Sequence, residues 1–256
     1  MFYIPDFSIS GKHPGCFLSG IMKNRHIKLL GIIFFILLAD QVLKIWVKTS
    51  FSLGDEIVVF KNWFILHFVE NNGMAFGFEF AGEYGKMILS IFRIVAVIAI
   101  GWYLFKLAKN KAIPFGFLAS IALIFSGAIG NIIDSLFYGM IFNHSYGQIA
   151  DIFPDGGGYS SFLHGRVVDM FYFPILQFQI PEWFPVRGGT DFIFFRPVFN
   201  IADSSITVGI FSILLFYRKQ FNNETEEENE AETEELTDLE SANRSESDTD
   251  TSDGTN

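Results

Sequence analysis

The stretch Phe199-Asn200-Ile201-Ala202-Asp203-Ser204-Ser205-Ile206-Thr207-Val208-Gly209 opens the last apolar run of the chain and carries a carboxylate into it. From Phe199 to Tyr217 the run is otherwise nearly all apolar, with Arg196 before it and Arg218-Lys219 after it. At ~1.5 Å per residue that is about the length a helix needs to cross a bilayer. Asp203 then lies one turn inside a transmembrane helix, where a charge is costly and is usually kept for chemistry. Its partner is sought in Asp169, within Gly165-Arg166-Val167-Val168-Asp169-Met170-Phe171. Two carboxylates at one membrane surface suggest acid/base work. Taken singly, Asp203 reads equally as a helix cap, because a first-turn carboxylate stabilises unsatisfied amides by a few tenths to about 1 kcal/mol.

The rest of the composition agrees with a membrane protein. Of 256 residues, 50% are hydrophobic and 17% aromatic, with 32 Phe, which is too apolar for an ordinary soluble domain of this length. The net charge of -10 is a property of one end. Residues 222–256 hold fourteen Asp/Glu and one Arg, so that the remaining 221 residues carry +3. Such an acidic, Ser/Thr/Asn-rich tail without aromatics buries too little apolar surface to offset its ordering entropy and is expected to be disordered and cytoplasmic. One cysteine, Cys16, excludes an intramolecular disulfide. Five scattered His without i,i+3 or i,i+4 pairs leave no metal site in view. Phosphate loops, dinucleotide motifs and nucleic-acid-binding patterns are absent.

Four spans are expected: about Ile27 to Val47, Lys86 to Leu107, Pro114 to Phe137 and Phe199 to Tyr217. Residues 1–26 read as a cytoplasmic extension, 27–219 as the membrane domain and 220–256 as the tail. Met22, just ahead of Lys23-Asn24-Arg25, is a candidate alternative start, and no cleaved signal peptide is evident. Lys23, Arg25 and Lys28, then Lys106, Lys109 and Lys111, then Arg218 and Lys219 all fall on one side, so both termini are expected to be cytoplasmic. Asp40, Asp134, Asp169 and Asp203 then gather at the outer leaflet. Residues 48–84 contain strand-like pieces at Glu56 to Phe60 and Trp63 to Val69. Asp40 and Lys44 share a helical face, either snorkelling to the interface or forming a pair beside the site. Asn131 and Asp134 likewise share a face near the outer end of the third span. Asn71-Asn72-Gly73 is, by itself, also what a plain turn looks like.

Peptide hydrolysis by paired carboxylates needs one ionised group to take a proton from water and one protonated group to polarise the scissile carbonyl. Repulsion and desolvation supply this by raising one pKa of the pair. Ser135, Ser204 and Ser205 adjoin Asp residues, but none lies in a Gly-x-Ser-x-Gly elbow or has a predictable His partner.

Five ordered motifs carry a resemblance. Asp40-Gln41-x-x-Lys44, Asn71-x-Gly73-x-Ala75-Phe76, Gly130-Asn131-x-x-Asp134, Val167-Val168-Asp169 and Phe199-Asn200-x-Ala202-Asp203-x-x-Ile206 together resemble the lipoprotein signal peptidases (signal peptidase II), aspartic peptidases of bacterial membranes. The resemblance covers about Ile27 to Lys219. It implies a mainly α, polytopic membrane protein of four transmembrane helices with a small extracytoplasmic β cradle, in the bacterial inner membrane. It implies Asp169 and Asp203 as the catalytic dyad, cutting a prolipoprotein before its diacylglyceryl-cysteine, without metal or organic cofactor. Asn71, Gly73, Asn131, Asp134, Asn200 and Ala202 are implied to contact substrate or support the site, and Asp40 and Lys44 to be architectural. The expected partners are lipid-modified prolipoproteins and membrane lipids, with no nucleic acid, and the chain is expected to be a monomer. One departure is notable: the family commonly has Arg after the aspartate of the third motif, where this chain has Ser135. Arg166 is the candidate compensating cation. The rival reading from another class is a binding or transport protein whose Asp40, Asp134 and Asp203 line a polar pathway. The clustering of acids at one surface and the lack of a repeat favour the peptidase.

Overall fold

A computed structural model of the chain describes residues 14–61, 63–71, 82–174, 176–183, 189–194 and 197–220. Gly73, Arg187, Arg196, the first thirteen residues and the acidic tail beyond 220 lie outside the described residues. The chain groups into two units, Met1–Ile210 and Phe211–Asn256. Among its described residues the second unit holds only the end of a helix, with Phe211, Leu214, Leu215 and Phe216 exposed.

Four helices are long and apolar enough to cross a membrane. Helix α1 (Pro14–Lys48) begins ahead of the span expected from Ile27. Pro14 suits a first helical turn, where its missing N–H costs nothing, and no breaker separates residues 16–26 from the apolar run. Helix α1 is built inside out: Phe34, Phe35, Leu38, Val42 and Trp46 are exposed while Asp40, Lys44 and Lys48 are fully buried at i, i+4 and i+8. Burying charge and exposing hydrocarbon is stable only where the surroundings are themselves apolar. Helix α2 (Gly82–Leu107) repeats the pattern. Its Ile88, Phe92, Val95, Ile98 and Trp102 are exposed, and Ser90 and Leu104 are buried on the other side.

Helix α3 (Phe115–Ile141) is the central one, and half of its apolar window is buried. A single π turn, Asp134–Tyr138, interrupts it. The extra residue in such a turn re-aims the side chains that follow it. Helix α4 (Ile201–Gln220) is the fourth span. Small residues on α3 bring the helices into close contact. A Cβ on Gly127 would stand 2.3 Å from the Ala202 carbonyl oxygen, and one on Gly130 would stand 2.7 Å from Asp40 Oδ2.

An antiparallel sheet of order β1-β2-β3-β6 joins β1 (Glu56–Phe60), β2 (Phe64–Asn71), β3 (Val167–Tyr172) and β6 (Val198–Phe199). A separate hairpin pairs β4 (Leu176–Gln179) with β5 (Asp191–Phe194). The expected pieces at 56–60 and 63–69 become β1 and β2, whereas β3 and the hairpin carried no strand signal in the sequence. Val69 pairs with Asp169 and Phe171 with Phe199, so the sheet hands the chain from β6 directly into α4. Val168 and Met170 join Val47, Phe51, Phe68, Tyr138 and Phe142 in one apolar core beneath the sheet. Asp169 lies between them in sequence, so the two-residue period of a strand turns it to the opposite face.

Candidate active site

Asn200 is fully buried immediately before α4 and acts as its N-cap. Its Oδ1 accepts from Asp203 N at 2.9 Å while Asp203 Oδ2 accepts from Asn200 N at 3.3 Å. This is a reciprocal capping box in which the carboxylate sits at the third helical position. The Asn200 amide nitrogen then reaches across to Asp169 Oδ1, 2.7 Å away, to Val168 O at 3.2 Å and to Asn131 Oδ1 at 3.1 Å. One side chain therefore touches both aspartates. Asn131 completes the link, donating from Nδ2 to Asp203 Oδ1 at 2.8 Å. Asn71, at the end of β2, donates to Asp169 Oδ2 at 3.4 Å.

Behind the two aspartates lies a fully buried ion triad. Lys44 Nζ is 2.9 Å from Asp40 Oδ2 and 2.9 Å from Asp134 Oδ2, and it donates to Asn131 Oδ1 at 2.9 Å. The snorkelling alternative for Lys44 is thereby excluded, since its ammonium points inward. Each carboxylate of the triad also accepts from a backbone amide. Asp40 Oδ1 accepts from Ala202 N at 2.9 Å, and Asp134 Oδ2 accepts from Val168 N at 3.2 Å. Ala202 and Val168 are the residues immediately before Asp203 and Asp169. Gln41 ties the triad together, donating to Asp40, to Asp134 and to Gly130 O, and its Oε1 accepts from Tyr138 OH at 3.2 Å.

A second buried cluster stands beside the first. Lys48 pairs with Glu70, Ser145 Oγ donates to Glu70 Oε1 at 2.9 Å, and Arg166 Nη1 lies 3.1 Å from Glu70 Oε2. Burial opposes the Glu70 charge, but Lys48, Arg166 and Ser145 outweigh it and hold the carboxyl below its usual range. Arg166 also lies over the Tyr146 and Tyr159 rings, at 5.3 and 5.2 Å. Its guanidinium is thus committed to Glu70 and two aromatic faces, although a quarter of the side chain remains exposed. Ser135, where the family carries Arg, is buried and donates to the Asn131 carbonyl of its own helix at 3.1 Å.

Asp169 is the perturbed acid of the site. Burial first, and the neighbouring Asp203 charge second, push it up to about 7. A carboxyl that keeps its proton near neutrality beside a second carboxylate is what acid/base hydrolysis uses. Lys48, Gln41 and Glu70 are site-supporting residues to which the sequence reading gave no role. Lys48 repeats the Asp40–Lys44 interval once more along α1, and Glu70 directly precedes Asn71. No cluster of His, Cys, Asp and Glu suited to a metal is present among the described residues.

Four spans with two aspartates, Asp169 buried and Asp203 half-buried, at the junction of a sheet and a membrane helix define a polytopic membrane hydrolase of the aspartic type. The family model for signal peptidase II matches residues 32–218, and the chain belongs to that family. A lipoprotein signal peptidase of Porphyromonas gingivalis is 50% identical over 201 residues, covering 78% of this chain and 86% of that protein. One of Amoebophilus asiaticus is 37% identical over 196 residues, covering 76% and 79%. A bacterial membrane enzyme solved by the in meso method at 1.9 Å aligns at a TM-score of 0.48 with 28% identity, covering 73% of this chain and 90% of that one. The chain is accordingly a peptidase that removes signal peptides from prolipoproteins.

Proposed function

We propose that Asp169 and Asp203 are the catalytic dyad, and that the bond cut is the one before the diacylglyceryl-modified cysteine of a prolipoprotein. The observation that carries this reading is the Asn200 bridge, with its 2.7 Å bond to Asp169 and its reciprocal bonds with Asp203. Asp169, held at about 7, keeps the shared proton and donates it toward the scissile carbonyl oxygen. Asp203, in the first turn of α4, is its partner. It takes a proton from water as the oxygen attacks the carbonyl carbon. The tetrahedral intermediate then collapses as its amide nitrogen takes that proton, the C–N bond breaks, and Asp169 recovers the proton it gave up. Asn131 and Asn200 hold both carboxylates in place, Asn71 adds a donor to Asp169, and Asp134, Asp40, Lys44 and Ala202 fix the backbone on either side. Gly73 and Asn71 are proposed to meet the substrate, and Arg166 to support the site through Glu70.

We place the site at the outer leaflet with both termini in the cytoplasm, from the basic residues that flank the spans. The lipid tails of the substrate then stay in the bilayer while water arrives from outside. The protein is proposed to work as a monomer in the bacterial inner membrane. The test is cleavage of a diacylglyceryl-modified prolipoprotein by purified enzyme in nanodiscs, comparing wild type with Asp169→Asn and Asp203→Asn at matched folded levels. Both variants are expected to lose activity by a factor of at least about 10³. Cleavage surviving in either would exclude the two-aspartate mechanism.

A further inference from the structure

The end of α1 remote from Asp40 borders a cavity of about 500 Å³. Arg25 and Asp40 belong to one continuous helix, roughly 22 Å apart at the helical rise, so this cavity is distinct from the aspartate site. Helix α1 contributes Arg25 and Lys28, three residues apart and therefore on one face. The connection from α2 to α3 contributes Lys111, and Phe115 opens α3. Lys28 and Lys111 are exposed, and no carboxylate is among the residues that line the space. Lys28 Nζ lies 5.9 Å from the centre of the Phe115 ring.

Arg25 builds the cavity wall. Its Nη1 donates to the Asn110 carbonyl at 2.9 Å and its Nη2 to the Ile113 carbonyl, so the guanidinium clamps the turn between α2 and α3. The remaining donor, Nε, is buried and has no hydrogen-bond partner among the described residues. Buried donors are ordinarily satisfied, and this one belongs to a side chain lining the cavity. Helix α3 begins here without a side-chain cap and without an acid in its first turn. Its leading amides have no intrahelical acceptor and carry the positive end of the helix dipole. Three cations, an unmatched buried donor and a bare helix start all call for an anion with several acceptor oxygens, which describes a phosphate.

The remaining lining identifies what carries that phosphate. Ala112, Ile113 and Pro114 complete the cavity with apolar surface, and exposed Ile27 and Leu30 flank Lys28 on α1. Charge thus gives way to exposed hydrocarbon within a single helical turn, as it does at the depth of lipid headgroups. Free phosphate has no use for apolar walls, whereas a diacyl phospholipid needs both parts. We propose that this cavity binds the phosphate of an anionic phospholipid headgroup, between α1 and the α2–α3 turn at the end of the bundle away from the aspartates.

The experiment is thermal unfolding of the full-length protein in detergent, titrated with short-chain phosphatidylglycerol, with phosphatidylcholine of the same chains and with inorganic phosphate. Phosphatidylglycerol is expected to raise the melting temperature saturably, because it binds the folded protein. Phosphatidylcholine, whose headgroup brings a cation to the lysines, should need at least about tenfold more lipid. Lys28→Gln with Lys111→Gln should weaken phosphatidylglycerol about 30-fold. Lys106→Gln with Lys109→Gln removes the same charge from neighbouring positions outside the cavity and should stay within about twofold of wild type. Both pairs leave the Arg25 bonds intact, so prolipoprotein cleavage without added lipid should match wild type and report a folded enzyme. Inorganic phosphate that reproduces the phosphatidylglycerol curve, and fails to do so in Lys28→Gln/Lys111→Gln, would overturn the lipid as occupant while keeping the phosphate site. No saturable rise in wild type, equal curves for the two lipids, or equal weakening by both lysine pairs would overturn the site itself, the last by reducing it to the general charge of this surface.

Discussion

The Ala202 amide donates to Asp40 Oδ1 at 2.9 Å, across 162 residues of sequence. Its counterpart is the bond from the Val168 amide to Asp134 Oδ2. The Lys44 ammonium lies between those two carboxylates, so one buried cation sets the position of the backbone next to both aspartates. Lys44→Met would leave Asp40 and Asp134 buried and uncompensated, and a buried pair broken from one side costs about 3–5 kcal/mol. Thermal unfolding of the purified protein in detergent should show that loss, with activity falling at least tenfold. Lys44→Met as stable as wild type would remove the triad from the architecture.

The raised pKa of Asp169 predicts a pH dependence with a definite sign. Activity needs one proton on the dyad, so the rate should fall on the alkaline side as pH passes through about 7. Stability follows the same group. Its folded value of about 7 lies above the ordinary value of 3.8, so its contribution is fully present below 3.8 and is lost as pH rises through about 7. Asp169→Asn cannot ionise and should therefore be the more stable protein above pH 7, by roughly 2–4 kcal/mol, with no difference in slope between the two below pH 3.8. Melting temperature against pH for both proteins reads this directly. A wild-type curve parallel to that of Asp169→Asn across the range would contradict it.

Glu70 predicts an asymmetry between two of its partners. Glu70→Gln strands Lys48, which is fully buried, and should cost about 3–5 kcal/mol. Arg166→Ala leaves the Lys48–Glu70 pair intact and removes a guanidinium that is a quarter exposed, so it should cost about 1 kcal/mol or less. Prolipoprotein cleavage separates support from contact. If Arg166 acts only through Glu70, Arg166→Ala should process substrate at close to the wild-type rate, and a tenfold rise in KM would assign it a substrate contact.

These clusters mark the boundary of what the sequence discloses. The four spans are legible because each is a long apolar run bounded by charge, and Asp40, Lys44, Asn131, Asp134 and Asp203 stand out because polar and charged side chains are rare within such runs. The strand bearing Asp169 was not legible. Val167-Val168-Asp169-Met170 is buried on both faces, so it lacks the alternation that identifies a half-buried strand. Arg166 looked like an available cation because its acid, Glu70, lies 96 residues away. Pairing across that distance depends on the β2–β3 register, in which Glu70 opposes Val168, and no local pattern encodes a register between distant strands. Lys48 carries no such signal in the sequence, because a lysine at the end of a span ordinarily reaches for the interface.

Asn200 allows the capping and bridging functions to be separated in one position. Its Oδ1 caps α4 by accepting from Asp203 N, while its Nδ2 holds Asp169, Asn131 and the Val168 carbonyl. Asn200→Ser retains an oxygen able to cap, so the helix should be kept at a cost within about 1 kcal/mol, whereas Asn200→Ala loses the cap as well and should cost about 1 kcal/mol more. Neither variant can reach Asp169. Both should therefore lose kcat by about 10- to 100-fold with KM little changed, because the bridge orients the acid and does not bind the substrate. The result that would overturn this is an Asn200→Ser enzyme with wild-type kcat, which would leave Asn200 as a helix cap and place the alignment of Asp169 on Asn71.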